Sequence, residues 1–330
     1  MHKLLSISVA AYNVSATIRQ CLDSFVASSF IDLFEIIVVN DGSKDDTVSI
    51  VQEYVRNYPN TIRLIDKKNG GHGSTINASS EVATGKYFKV VDGDDWVDTK
   101  AFDKFLQYLL NTDCDLILSN YMAVYPDHKS QMNVAGNKSP NMIYTINDLE
   151  KKPPMHSITI KLSSYKSLSL EISEHRFYVD LEFDTFALMA SNTISFCPEY
   201  VYQYRLGTPN QSVSMNGYFN HIEDLIFVVS RLLRLYASTY SYKMMSTHKE
   251  NLIFSIISDQ YDTIFGCFIH FKKVDKDHKL AEFDYSMRKS YPQLVNRIDL
   301  GHRNIIRLNY SIMLPLLRIA HNIAMFFHHH

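Results

Sequence analysis

The stretch Lys86–Trp96, KYFKVVDGDDW, decides how this chain folds. Its first half is aromatic and apolar in the manner of a buried strand, and its second half gathers Asp92, Asp94 and Asp95 around Gly93 before the only tryptophan in the sequence. A strand that stops in carboxylates delivers them to the carboxyl edge of a sheet, where open α/β folds bind their ligands. Three like charges so close repel one another. The cluster is therefore either a solvated turn, with its side chains bonded to nearby backbone N–H groups, or a site that offsets the repulsion with a cation or a hydrogen-bond network.

Upstream, strand and helix patterns alternate. Leu4–Ala11 is a β-prone run, followed by Ile18, Cys21, Leu22, Phe25 and Val26 at helical spacing behind Ser15 as a cap. Phe34–Val39 is a second buried strand ending in Asn40-Asp41-Gly42-Ser43, after which Val48, Val51, Tyr54 and Val55 mark another helix. Thr61–Ile65 reads as a third strand, Asn69-Gly70-Gly71-His72-Gly73 as a loop, and Ser74–Ala83 as a helix stopped by Gly85. This alternation predicts a parallel sheet covered on both faces, with its strand-end loops on one edge. Asp41, the glycine loop and the Asp92 cluster then converge. Together they suit a nucleotide: a carboxylate for base or ribose, backbone N–H groups, and a carboxylate pair for a metal on the diphosphate. No G-x-G-x-x-G follows the first strand and no G-x-x-x-x-G-K-[ST] occurs, which disfavours a Rossmann dinucleotide site and a P-loop.

Composition narrows the partners. A net charge of −2 over 330 residues supplies no basic field, so nucleic acid is not an expected partner. Cys21, Cys114, Cys197 and Cys267 are scattered, which fits buried thiols in a reducing compartment and not a zinc knot or disulfide framework. The opening MHKLLSISVAAYN lacks a signal-peptide pattern, and no uninterrupted apolar run reaches the roughly 20 residues of a spanning helix. A cytoplasmic location is the expectation.

Four ordered blocks carry a resemblance. SISVAAYNVSATIRQCLDS, IIVVNDGSKDDT, NGGHGSTINASSEVATGKY and VVDGDDWVD resemble the successive motifs of family 2 glycosyltransferases with the GT-A fold, the last block holding the D-x-D motif. The resemblance covers about the first hundred residues in unbroken order, and four motifs in sequence are far more specific than one. It implies an α/β, GT-A-like (Rossmann-like), mainly parallel sheet sandwiched by helices. By resemblance, Asp41 contacts the uracil or ribose of a nucleotide-sugar donor, with Ala11, Tyr12 and Asn13 around the base. Asp92 and Asp94, with Gly93 between them, match the D-x-D pair, Asp94 as the direct ligand of Mg²⁺ or Mn²⁺ and Asp92 nearer the ribose. Asn40 stands where the family more often has aspartate. His72, Ser74 and Asn77 fall in the block that lines the donor in relatives.

The segment His175–Glu182 resembles the one that supplies a general base, although Val179 stands where the family commonly has glutamate. Asp180 is then the base, with Glu182 or Asp184 as substitutes; a helix start that favours acidic side chains is the structural alternative. Pro153–Thr159 is similar to a segment near the acceptor, which implies His156 as an acceptor contact or an added metal ligand, with Glu182 as a second acceptor contact; a structural histidine is the alternative. Tyr202–Gly207 with Gln211–Ser214 resembles a closing loop in which Arg205 meets the diphosphate.

From Tyr218 onward the pattern is helical, which divides the chain into a catalytic domain, 1–215, and a helical subdomain, 216–330. Within 303–327, Arg303, Arg307, Arg318 and His321 share one side of a helical wheel, while Ile305, Leu308, Ile312, Leu316, Ile319, Ile323 and Phe326 share the other. Such a helix, kinked at Pro315, lies on an anionic membrane surface, or packs against the helical subdomain or a second protomer as a homo-oligomer. The resemblance implies an inverting, metal-dependent transfer of a sugar from a nucleotide-sugar, UDP-linked, to a glycan or lipid-linked glycan acceptor in bacterial surface polysaccharide synthesis. Two alternatives stay open: a sugar nucleotidyltransferase, and a non-catalytic nucleotide-sugar-binding partner subunit.

Overall fold

In the computed structural model, which describes residues 3–140, 142–207, 215–241, 245–271 and 276–328, the alternating pattern becomes β1 (Leu5–Ala11), α1 (Ile18–Val26), β2 (Phe34–Asp41), α2 (Thr47–Asn57), β3 (Ile62–Lys67), α3 (His72–Val82) and β4 (Tyr87–Asp92). β2 is buried at every position, as an apolar run flanked by strands and covered on both faces must be. Helix α1 turns Ile18, Cys21, Leu22 and Phe25 inward, and Phe25 packs edge-on against Phe102 at 5.1 Å. Its N-cap is Thr17, not Ser15. The Thr17 hydroxyl bonds the Gly93 carbonyl at 3.1 Å and does not cap the helix, while the Ser15 N–H donates to Asp45.

The chain continues as β5 (Trp96–Val97), α4 (Thr99–Leu110), β6 (Leu116–Val124), β7 (Lys129–Met132), β8 (Tyr144–Thr145), β9 (Ile158–Lys161), α5 (Leu162–Ser167), α6 (Asp180–Ala190) and β10 (Thr193–Arg205). One sheet holds all ten strands, in the order β3-β2-β1-β4-β9-β6-β10-β5, with β7 on β6 and β8 on β10. The first four are parallel, with Leu5 opposite both Phe34 and Tyr87. Beyond β4 the sheet is mixed, because β9 is antiparallel to both β4 and β6. A parallel neighbour needs a crossover that returns the chain to the opposite edge. β9 instead begins beside Leu118 and ends beside Tyr87, running back from the edge towards which β4 and β6 run.

The chain divides into two compact units, Met1–Pro209 and Asn210–His330. The second contains no strand among its described residues. It comprises α7 (Met215–Asn220), α8 (Ile222–Ser241), α9 (Thr247–His270), α10 (Asp277–Ser290), α11 (Pro292–Val295), a 3₁₀ segment (Gly301–Leu308) and α12 (Tyr310–His328), which runs through Pro315. Asp284 is fully buried and accepts from Tyr261 Oη at 2.8 Å, Arg307 Nη2 at 2.8 Å and the Tyr310 hydroxyl. The cations of the amphipathic tail are turned inward. Arg303 pairs with Asp262, Arg307 with Asp284, and Arg318 holds Asp277 by two bonds of 2.6 and 2.7 Å. The opposite stripe, Ile305, Leu308, Ile312, Leu316 and Ile319, is exposed, Leu308 at 77%. Helix α9 is long and apolar enough to cross a membrane by length and composition, yet 61% of its most apolar window is buried within the chain.

Candidate active site

The carboxyl edge of β1–β4 gathers the predicted residues. Ala11 ends β1 in the core, and Tyr12, 49% exposed, stands at the rim. Asn13 adopts a left-handed backbone, φ 54°, which asparagine tolerates better than most side chains, and it interlocks with the loop after β2. Its N–H donates to Ser43 Oγ at 2.9 Å, and its Oδ1 accepts from the Lys44 N–H at 2.8 Å.

Asp41 is buried and saturated. It accepts from Lys67 Nζ at 2.9 Å and from the N–H groups of Gly70 and Gly71, both at 2.8 Å. Its carboxylate thus shapes the glycine loop. Lys67 escaped the sequence analysis; the signal is the parallel register that sets it opposite Asp41, which exists only once β2 and β3 are paired.

The glycine loop is in turn the seat of the segment that precedes α6. A Cβ on Gly73 would lie 2.1 Å from the Ser173 carbonyl oxygen, and one on Gly71, whose φ is 82°, would lie 3.1 Å from the His175 nitrogen. Only glycine allows this approach. The His175 N–H donates to the Gly70 carbonyl, and the Asn77 amide clasps Ile172 through both its backbone groups at 2.9 Å. Glu182 is fully buried, with its oxygens taking the Ser173 N–H at 2.6 Å and Ser173 Oγ at 2.9 Å. Asn77 and Glu182 therefore build the wall of the site: Asn77 spends its amide on Ile172, and Glu182 has no open face towards an acceptor. His175 and Tyr178 hold positive φ values of 54° and 63°, a strained entry to the helix that begins at Asp180.

That helix start lies within electrostatic range of His72 and Asp92. His72 Nε2 lies 3.1 Å from Asp92 Oδ1, an ion contact whose angle falls short of a hydrogen bond. Burial works against the charged imidazole, but Asp92, followed by Asp180 and Asp94, more than restores it, so the His72 pKa is raised. Burial likewise opposes ionisation of Asp92, and His72 outweighs it, holding that carboxyl below its ordinary value. Burial raises Asp180, with the His72 charge limiting the rise. Asp184, one turn further, is raised well above its ordinary value by burial and then by Asp180, and its Oδ1 is buried without a partner.

Asp92, Asp94 and Asp95 place carboxylate oxygens within 4.8 Å of one another. Burial and then Asp92 raise Asp94; burial, then Asp92 and Asp94, push Asp95 up to about 8. A crowded, partly desolvated set of hard oxygen donors fits a divalent cation such as Mg²⁺ or Mn²⁺, which would relieve this repulsion. Asp95, the least expected member, is tied down by Tyr202 Oη at 2.6 Å and the Arg205 N–H at 2.7 Å. Gly93 folds the turn onto β1 by donating to the Ala10 carbonyl at 2.9 Å. Arg205 stacks 4.7 Å above Trp96 and donates from Nε to the Asp94 carbonyl at 2.8 Å, which fixes a cation beside the cluster. His156 occupies a single 3₁₀ turn ahead of β9, where burial pushes it down to about 4 against the pull of Asp92. Gln211–Ser214 lie outside the described residues.

With this geometry in place, comparisons identify the chain's kin. Residues 6–171, half of the sequence, match the sequence model described as Glycosyl transferase family 2. Over 116 residues the chain is 37% identical to the uncharacterized glycosyltransferase YibD of Escherichia coli (strain K12), covering 35% of this chain and 33% of that protein. Over 107 residues it is 36% identical to chondroitin synthase of Pasteurella multocida (strain Pm70), covering 32% of this chain and 11% of that one. The chain thus spans a third or less of these two relatives. S. aureus TarS 1–349, solved in complex with UDP-GlcNAc, superposes with a TM-score of 0.70 at 18% identity, covering 96% of this chain and 89% of that one, and shares the GT-A-like fold. By the match of residues 6–171 to the family model, with the four motif blocks converging on one sheet edge, this chain belongs to glycosyl transferase family 2.

Proposed function

We propose that the protein is an inverting, metal-dependent glycosyltransferase that moves a sugar from a UDP-sugar to a hydroxyl of a glycan in polysaccharide synthesis. One observation carries this reading: the strained start of α6 holds Asp180 within the electrostatic reach of His72 and the Asp92 cluster. The acceptor oxygen attacks the anomeric carbon, the bond from that carbon to the diphosphate oxygen breaks, and the acceptor proton passes to Asp180, whose raised pKa makes it the stronger base. Asp92 and Asp94 would hold a divalent cation, which would supply charge stabilisation to the departing diphosphate. Arg205 adds a fixed positive charge beside it, and His72 holds Asp92 in place.

The donor class is supported by the UDP-GlcNAc complex of TarS, and the polymer class by the chondroitin synthase relative. Tyr12, Asn13 and the Asp41-ordered loop line the nucleotide end, Asp41 acting through the glycine loop that it organises. A membrane surface would be met by the exposed aliphatic stripe of 305–319, since the tail's arginines are committed within the helical unit.

The test is product analysis with UDP-GlcNAc and Mn²⁺. Release of UDP supports the proposal, and release of pyrophosphate from a nucleoside triphosphate would favour a nucleotidyltransferase instead. Asp94→Asn should lose metal-dependent UDP binding, and Asp180→Asn should keep it while transfer falls about 10²- to 10⁴-fold. Full transfer by Asp180→Asn would overturn the assignment of the base.

A further inference from the structure

We propose that Tyr121, His156 and Tyr204 form a stacking subsite for a pyranose ring of the acceptor. The inference rests on the glycosyltransferase reading above. Three segments beyond β4 supply the rings: β6, the turn ahead of β9, and β10. His156 lies nearly parallel on Tyr204, ring centres 4.3 Å apart and planes at 26°, and Tyr121 meets His156 edge-on at 4.7 Å. All three residues are partly exposed at this edge, and His156 also packs on Tyr202, ring centres 5.4 Å apart.

Packing alone does not explain the histidine. Its Nδ1 is buried without a hydrogen-bond partner, a standing cost to the fold that phenylalanine would avoid. The turn that presents it is built at a second cost. Lys89 is fully buried and spends its amine on the carbonyls of His156, at 2.8 Å, and Ile158, at 3.2 Å. An unpartnered nitrogen in the turn and a buried amine on β4 beneath it are the kind of departure that marks a functional surface.

Position and chemistry identify the ligand. The sheet order sets β1 and β2, which carry the nucleotide end, on one side of Asp92, and β9, β6 and β10 on the other. Burial, then Asp92, Asp95, Asp180 and Asp94, raise the Tyr204 phenol, so that ring is neutral and stands within the field of the proposed base. A pyranose has an apolar C–H face edged by hydroxyls, which suits flat aromatic faces bordered by carboxylates.

Saturation-transfer NMR with methyl β-D-glucopyranoside and methyl β-D-galactopyranoside as probes tests the subsite, with calorimetry of UDP and Mn²⁺ alongside. His156→Leu and Tyr204→Leu should weaken glycoside binding roughly three- to tenfold and leave UDP affinity unchanged. His156→Phe keeps a flat ring and removes the orphaned nitrogen; it should retain glycoside binding and melt no lower than the parent. No saturation transfer in the parent protein, or unchanged binding in both leucine variants, would overturn the proposal, as would a parallel fall in UDP affinity. A parent that binds glycosides but not UDP would instead overturn the donor reading beneath it.

Discussion

Replacing Gly73 by alanine isolates what holds the proposed base, Asp180, in place. The added Cβ would stand 2.1 Å from the Ser173 carbonyl oxygen and 2.7 Å from Ile172 Cγ2, both in the segment that leads to Asp180. The interface must open by about 1 Å to restore an ordinary contact. That interface includes the Asn77 clasp on Ile172, the Glu182 bonds to Ser173 and the His175 bond to Gly70, so Asp180 moves relative to His72. Misplacing a reacting group by about 1 Å can cost about 10²-fold in rate. Stability should respond far less, since overpacking costs about 1–3 kcal/mol while alanine returns about 1 kcal/mol of helix propensity. UDP release from UDP-GlcNAc, normalised to folded protein by thermal melting, should therefore fall about 10²-fold with a net destabilisation of at most about 2 kcal/mol. Ser80→Ala, further along the same helix where the hydroxyl bonds only the local Asn77 carbonyl, is the control. Turnover in Gly73→Ala equal to that of the control would refute the role given to this contact.

Elsewhere the consequences are mainly for stability. Asp284→Ala strands Arg307 in the helical unit without its partner and should cost about 3–5 kcal/mol in urea unfolding; a loss below about 1 kcal/mol would show that the buried pair is dispensable. Glu35 is held below its ordinary value: burial raises it, but Ser6, Thr84 and Arg63 outweigh that effect. The unfolded chain then binds this proton at higher pH than the folded one, so the stabilisation is complete above about pH 4.5 and is lost as pH falls through the lowered folded value. Glu35→Gln should melt lower than the parent at neutral pH and show a shallower decline on acidification; an identical acid profile would exclude Glu35 as a contributor.

The first four strands were legible because their signals are local. A continuous apolar run ended by Asp, Asn or Gly specifies a buried strand and its turn without reference to distant residues. The local pattern does not specify β6, β9 and β10. β9 is only four residues long, and β10 carries Pro198 and slips register between Cys197 and Tyr202, which breaks the periodicity on which such readings depend. For the same reason the antiparallel insertion of β9 was invisible, since it is set by where the chain re-enters the sheet.

Among the site residues, the sequence marked the carboxylates of the Asp92 cluster and Asp41 because strand ends place them on one edge, and Asp180 through the resemblance of its segment to the family's base-bearing one. It did not reveal their partners. Asp41 is saturated by Lys67 and the glycine-loop N–H groups only when two strands lie in register and the loop folds back. Glu182 is turned into the interior because Ser173 supplies two donors from a segment nine residues earlier. The amphipathic tail makes the same distinction. A helical wheel separated the arginines of 303–327 from the aliphatic side chains, but the direction each face points was decided by Asp262, Asp277 and Asp284 on other helices, which draw the cations inward and leave the stripe exposed. Residue order set the chemistry of each local element, and tertiary structure chose which charges meet, because burying a charge requires a partner that only long-range packing can bring.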